Sequence, residues 1–229
     1  MNVSIVIPAY NEEASIERVI EEVERLDFQK EIIVVDDGSR DRTAVLAARY
    51  ASVRMIRHQE NRGRGAAVRT GFEHATGDIV CIQDADMEQL PSDIPALIAP
   101  IASGRASVVF GCRIPPGPRP FGMSFVHLMA NRAFSIVGGL LCRQRLHDVY
   151  TGSKCYRSDV FAGLKLRSSG FEQEMEVVAK CGRKGIRIAE VPIHYSYRTT
   201  GRSSMRLTDG LKGLAALLKY SLEREDSAS

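Results

Sequence analysis

Residues 79–88, Ile79-Val80-Cys81-Ile82-Gln83-Asp84-Ala85-Asp86-Met87-Glu88, join an apolar run of strand length to two aspartates one residue apart. In an extended chain residues i and i+2 point the same way, so both carboxylates can face one spot. Two hard oxygen donors at the end of a buried strand suit a divalent ion such as Mg²⁺ or Mn²⁺. Mg²⁺ keeps few protein ligands and completes its shell with phosphate and water, so an ion here would hold a diphosphate. In group transfer its task would be to stabilise the charge growing on that departing diphosphate. A solvated turn is the plainer fate of an Asp-Ala-Asp tripeptide. Two more polar clusters shift the balance: Pro8-Ala9-Tyr10-Asn11-Glu12 and Asp36-Asp37-Gly38-Ser39. Asp36 or Asp37 could accept hydrogen bonds from a base or ribose, although Asp-Asp-Gly-Ser taken alone reads as a turn.

The elements around these clusters explain why they should meet. Residues 3–7 form an apolar strand that Pro8 should stop, and Asn11 is placed to cap a helix with Glu12 and Glu13 in its first turn. Ile16, Val19, Ile20, Val23 and Leu26 follow at helical spacing. Residues 32–35 and 53–56 read as strands, with a helix from Asp41 that includes 43–50, and another helix at 64–75 leads into the strand at 79. Strands that are apolar throughout and separated by helices imply an α/β fold with a mostly parallel sheet covered on both faces. Ligands in such sheets bind at the carboxyl ends of the strands. All three polar clusters sit at such ends and converge on one edge.

Further along, residues 91–103 read as a helix and 106–111 as a strand ending at Cys112-Arg113. The proline-rich 114–120 stretch reads as an irregular loop. Residues 121–146 are helical in pattern, 149–156 and 186–191 are strand candidates, and 172–183 is a helix between them. The pattern divides the chain into a catalytic domain, 1–206, and a C-terminal amphipathic helix and tail, 207–229.

The 229 residues carry a net charge of only +3, aromatics are 7% and tryptophan is absent, which argues against a nucleic-acid partner. The five cysteines are widely spaced and form no CxxC pair, so they read as reduced core residues of a cytosolic protein. The first residues lack the basic segment and apolar core of a signal peptide. No stretch reaches the roughly 18 apolar residues that argue for a membrane span. The expected location is cytoplasmic, soluble or peripheral on the cytosolic membrane face.

The sequence also resembles the family-2 inverting glycosyltransferases, which have the Rossmann-like GT-A fold. The matching residues are Pro8 to Glu12, Val35 to Ser39, Asn61-Arg62-Gly63-Arg64-Gly65 with Arg69 and Gly71, Ala75 to Asp78, and Gln83 to Asp86. Within that family it is similar to dolichol- or polyprenyl-phosphate sugar transferases. That likeness lies in Asp84 to Glu88 with Pro91, Gly111-Cys112-Arg113, Asp148 ahead of Thr151-Gly152, Phe171 to Glu174, Glu190-Val191-Pro192 and Arg202-Ser203-Ser204-Met205-Arg206. The resemblance implies that Pro8, Ala9, Tyr10, Glu12, Asp36, Asp37, Arg64, Asp84 and Ala85 bind the nucleotide. It also implies that Asp84, Asp86 and position 88 bind the metal, with Asp86 catalytic. Relatives commonly carry Gln at that third position; here Glu88 stands there and Gln89 follows.

A lipid phosphate acceptor is already anionic, so it needs arginines to position it more than a strong base. Arg113, Arg132, Arg202 and Arg206, with Ser204, are the candidates, and a solvated helix face explains Arg132 equally well. Asp148 matches a position proposed in relatives as a base or acceptor-orienting group, and a hydroxyl acceptor would require such a base. The helices at 121–146 and 207–223 could dock on a membrane, while domain packing or a homodimer interface accounts for the same pattern. The expected reaction moves a hexose from GDP-mannose or UDP-glucose to a polyprenyl phosphate. The rivals are a same-fold enzyme acting on a soluble hydroxyl, and a non-catalytic nucleotide-sugar-binding protein. A nucleotidyltransferase would carry a Gly-rich basic loop after its first strand, and residues 8–12 are not one.

Overall fold

A computed structural model describes residues 1–114, 123, 125–196 and 207–223. Seven strands form one sheet: β1 (Val3–Ala9), β2 (Lys30–Asp36), β3 (Val53–Arg57), β4 (Ile79–Ile82), β5 (Val108–Cys112), β6 (Lys154–Arg157) and β7 (Ile188–Pro192). Their order is β3-β2-β1-β4-β6-β5-β7, and only β6 runs against the others. This is the α/β, mostly parallel architecture expected from the sequence.

Pro8 lies inside β1 and does not end it. In a parallel strand alternate residues bond to opposite neighbours. The Ala9 carbonyl accepts Asp37 N–H on the β2 side, so Pro8 faces the β4 side, where pairing stops at Val6–Ile82. Its missing N–H costs nothing there. Asn11 does not cap a helix either. It adopts φ 55°, its N–H donates to Ser39 Oγ, and its side-chain oxygen accepts Arg40 N–H, tying the β1 tip to the β2 tip.

Helices cover both faces. Along β2, Ile32 and Val34 join the core with α1 (Ile16–Glu24) and α4 (Ile94–Ala102), whereas Ile33 and Val35 pack on Ala67 of α3 (Arg64–His74). That alternation is the period of two expected of a strand buried on both sides. The helix from Asp41 shrinks to α2 (Thr43–Ala47), and α5 spans Phe125–Cys142. A short α6 (Ser158–Leu164) is an element the sequence pattern did not suggest. α7 (Gln173–Arg183) and α8 (Leu207–Leu222) pack together, with Met175, Leu217 and Tyr220 buried in one cluster.

The strand expected over 149–156 is confined to β6. Val149 and Tyr150 give their N–H groups to Ser135 and Asn131 of α5, so the stretch before β6 is held by a helix and not by a neighbouring strand. The expectation of five reduced thiols is corrected for two of them. Antiparallel pairing sets Cys81 directly opposite Cys155, with Cα atoms 4.1 Å apart, and the two are joined in a disulfide. Cys112, Cys142 and Cys181 are free.

Candidate active site

Because β1, β2, β4 and β5 point one way and β6 the other, the ends of the first four and the start of β6 share one sheet edge. At the β2 tip the buried Asp37 carboxylate accepts the N–H groups of Arg62 (2.9 Å) and Gly63 (2.8 Å) and meets His58 Nδ1 at 2.6 Å. Gly63 turns there with φ 95°, and a Cβ on it would lie 2.5 Å from the Ser169 carbonyl oxygen. Asp36 Oδ1 accepts Ser39 N–H, while Asp36 Oδ2 lies 3.0 Å from Arg57 Nε without a directed hydrogen bond. Glu12 N–H is held by Thr43 Oγ1 at 2.8 Å. Pro8, Ala9 and Ala85 are buried in the frame, whereas Tyr10 is 40% exposed at the β1 tip.

Arg64 follows Gly63 directly, so the loop that Asp37 anchors delivers a guanidinium to the β4 tip. Its Nε and Nη2 lie 2.9 and 2.8 Å from Asp84 Oδ1, its Nη1 donates to Glu174 Oε1 at 2.5 Å, and Nη2 reaches the Gly152 carbonyl at 3.3 Å. The other Asp84 oxygen packs against Gly152, where a Cβ would come within 1.8 Å of it. Only glycine at 152 leaves room for this carboxylate. The Gly63-Arg64 step therefore joins the Asp37 and Asp84 tips, with Arg64 and not a shared ion position between them.

Asp86 and Glu88 are half-buried in the loop beyond Asp84. Met87 adopts φ 61°, which turns the Glu88 N–H back onto Asp86 Oδ1 at 3.0 Å. Gln89 is turned inward: its side-chain oxygen accepts Ser153 N–H at 2.6 Å and Thr151 Oγ1 at 3.1 Å. Of the two residues that could supply a third ligand, geometry thus leaves Glu88. Among the described residues no three His, Cys, Asp or Glu side chains gather into a metal cage. The donor set instead fits a Mg²⁺ or Mn²⁺ ion shared with phosphate oxygens, because such an ion takes only one or two protein carboxylates.

At the β5 tip Arg113 and Asp148 are paired with each other. Asp148 is fully buried; its Oδ2 accepts Arg113 N–H (2.9 Å) and Nε (2.8 Å), and its Oδ1 accepts Arg113 Nη2 (2.8 Å) and Asn131 Nδ2 (2.7 Å). Four donors take up the carboxylate's four lone-pair directions. Burial opposes the charge on Arg113, but Asp148 outweighs it, with Glu88 and Tyr195 adding, so the guanidinium is held more firmly protonated than usual. Burial, then the Glu190 and Asp148 carboxylates, push the Cys112 thiol up to about 12, so it is no thiolate nucleophile. Arg132 sits on the exposed side of α5. Arg202, Ser204 and Arg206 lie outside the described residues.

Gly152 was marked by the Thr151-Gly152 pair, whereas Lys154 and Asn131 belong to this edge with no local signal to set them apart. A lysine opening a strand and an asparagine within a helix have no period or spacing of their own.

Residues 4–164 match the sequence profile of Glycosyl transferase family 2. A dolichol-phosphate mannosyltransferase of Pyrococcus furiosus is 30% identical over 96% of this chain and 64% of its own length. An undecaprenyl-phosphate mannosyltransferase of Micrococcus luteus is 28% identical, covering 95% of this chain and 92% of that protein. The chain spans 64% of the Pyrococcus protein and 61% of an undecaprenyl-phosphate 4-deoxy-4-formamido-L-arabinose transferase of Shewanella sediminis. The fold matches glucosyl-3-phosphoglycerate synthase from Mycobacterium tuberculosis, solved with Mn²⁺, uridine diphosphate and glucosyl-3-phosphoglycerate, at TM-score 0.75 and 23% identity over 98% of this chain and 81% of that one.

Proposed function

From the premise that this chain belongs to glycosyl transferase family 2, we propose that it moves a hexosyl group, with inversion, from a GDP-mannose- or UDP-glucose-type donor to a polyprenyl phosphate. Tyr10, Asp36 and the loop held by Asp37 would receive the nucleoside. Asp86 and Glu88 would hold Mg²⁺ or Mn²⁺ against the diphosphate; Asp84, expected as a further ligand, is paired with Arg64 instead, and Arg64 would face the same group. When bound, that ion supplies positive charge to the leaving diphosphate.

The state of Asp148 carries the reading. A hydroxyl acceptor needs a base to take its proton, whereas a phosphate monoester already presents an anionic oxygen. Saturated by Arg113 and Asn131 and fully buried, Asp148 is suited to orienting Arg113 and not to removing a proton. Arg113 presents its Nε and Nη2 edge to Asp148, which leaves Nη1 for an anion.

The helices support a lipid surface as the source of acceptor. Phe125, Ile136 and Leu140 of α5 and Leu211, Leu218 and Leu222 of α8 are each more than half exposed. No helix among the described residues is long and apolar enough to cross a membrane. Peripheral docking on a membrane surface accounts for such apolar faces. Residues 1–206 would then be the catalytic unit, with 207–229 contributing to attachment.

The test is transfer of labelled sugar from GDP-mannose and UDP-glucose, with Mn²⁺ or Mg²⁺, to undecaprenyl or dolichyl phosphate in detergent. Label in a solvent-extractable lipid phosphate is the expected result. Label only in soluble hydroxyl acceptors would replace the lipid reading, and donor binding with no nucleotide released would replace catalysis itself.

A further inference from the structure

Behind the strand tips runs a chain of alternating charges for which donor and acceptor contacts do not account. Lys154, at the start of β6, is fully buried; its ammonium donates to Glu174 of α7 and to the Val149 carbonyl at 3.1 Å, and lies 4.1 Å from the centre of the Phe110 ring. Glu174 divides its nearly buried carboxylate, giving Oε2 to Lys154 and Oε1 to Arg64. Arg64 continues to Asp84. The order is Lys154, Glu174, Arg64, Asp84, and the four formal charges sum to zero.

We propose that Glu174 and Lys154 are positioning residues for the donor: they hold Arg64 extended across the strand tips so that its guanidinium meets the diphosphate. The inference rests on the nucleotide-sugar reading above. A free arginine carries about 2 kcal/mol of rotamer entropy. Fixing it before the ligand arrives removes part of that cost from binding. Glu174 does the fixing, because Asp84 alone leaves Nη1 unheld. Burial, then the Arg64 charge, pull the Lys154 pKa well down, and the Glu174 carboxylate in direct contact favours the ammonium; so paired, Glu174 adds no excess negative charge beside an incoming dianion. The lysine thus acts two side chains away from the ligand.

A double-mutant cycle read by calorimetric binding of UDP and GDP, each with Mn²⁺, tests this on the full chain. The pair variant Lys154→Met/Glu174→Gln removes both charges and leaves neither buried partner orphaned. It is expected to bind the preferred nucleotide about tenfold more weakly, the effect of one side chain no longer held in place. Arg64→Met should lose at least as much, and combining it with the pair variant should cost nothing further. A general loosening of the fold would weaken both backgrounds alike. Lys154→Met alone, which leaves Glu174 paired with Arg64, repeats the measurement should the pair variant unfold. Wild-type affinity in these variants, or losses that multiply with that of Arg64→Met, would overturn the proposal. If the wild-type protein binds neither nucleotide, the donor reading fails, and this inference fails with it.

Discussion

The two ends of the functional edge hold their buried carboxylates by different means. On the β1–β2–β3 side, Asp37 is satisfied by two backbone N–H groups and a histidine, so it shapes a loop. On the β5–β6 side, Asp148 and Glu174 each meet side-chain cations, so they aim arginines and a lysine. Loss of the first kind leaves N–H groups unpaired at about 1–3 kcal/mol. Loss of the second leaves a buried charge without its partner at about 3–5 kcal/mol. One residue type thus builds a loop at one tip and directs a cation at the other.

Asp86 belongs to neither set, and its removal should have the largest effect. Asp86→Ala is expected to lower turnover by about 10²–10³, the scale of losing one electrostatic contact to a leaving group, with the melting temperature nearly unchanged. Wild-type rate with Mn²⁺ present would remove Asp86 from the metal site. Next comes Asp148→Ala, which strands Arg113 and should cost about 3–5 kcal/mol in urea unfolding. Asp37→Ala should cost less, about 1–3 kcal/mol, and raise hydrogen exchange at the Arg62 and Gly63 amides. Should the Asp37 variant prove the less stable of the two, the contrast between the tips is broken.

The smallest effect is expected at Glu31, far from the edge. Burial raises the pKa of its carboxyl, but hydrogen bonds from Ser4, Thr76 and Gly77 together outweigh it and hold it below the usual carboxylate range. A carboxyl lowered in the folded state stabilises above its unfolded pKa and loses that stabilisation as pH falls through the folded value. Glu31→Gln should therefore cost about 1 kcal/mol at pH 7, a drop of roughly 2–4 °C in melting temperature, and almost nothing in strong acid. A penalty independent of pH would show that only the contacts matter and not the charge.

Much of the fold was legible because it depends on local pattern. The apolar runs at β1, β2 and β4 announced buried strands, and Ile16, Val19, Ile20 and Val23 announced the inner face of α1, where all four are buried. The errors arose where a distant partner took over a local signal. Asn11 has the chemistry of a helix cap but was claimed by Ser39 and Arg40. Val149 and Tyr150 have strand propensity but were claimed by α5. Cys81 and Cys155 carried no pairing signal, since 74 residues separate them and only the β4–β6 register sets them opposite.

By itself the sequence determined that acidic and polar clusters end buried parallel strands, since apolar period and strand punctuation are properties of neighbouring residues. What each acid holds was decided only in three dimensions. Arg64 finds Glu174 across 110 positions and Arg113 finds Asp148 across 35. A carboxylate's role depends on which donor lies within about 3 Å, and chain packing sets that distance where sequence spacing does not.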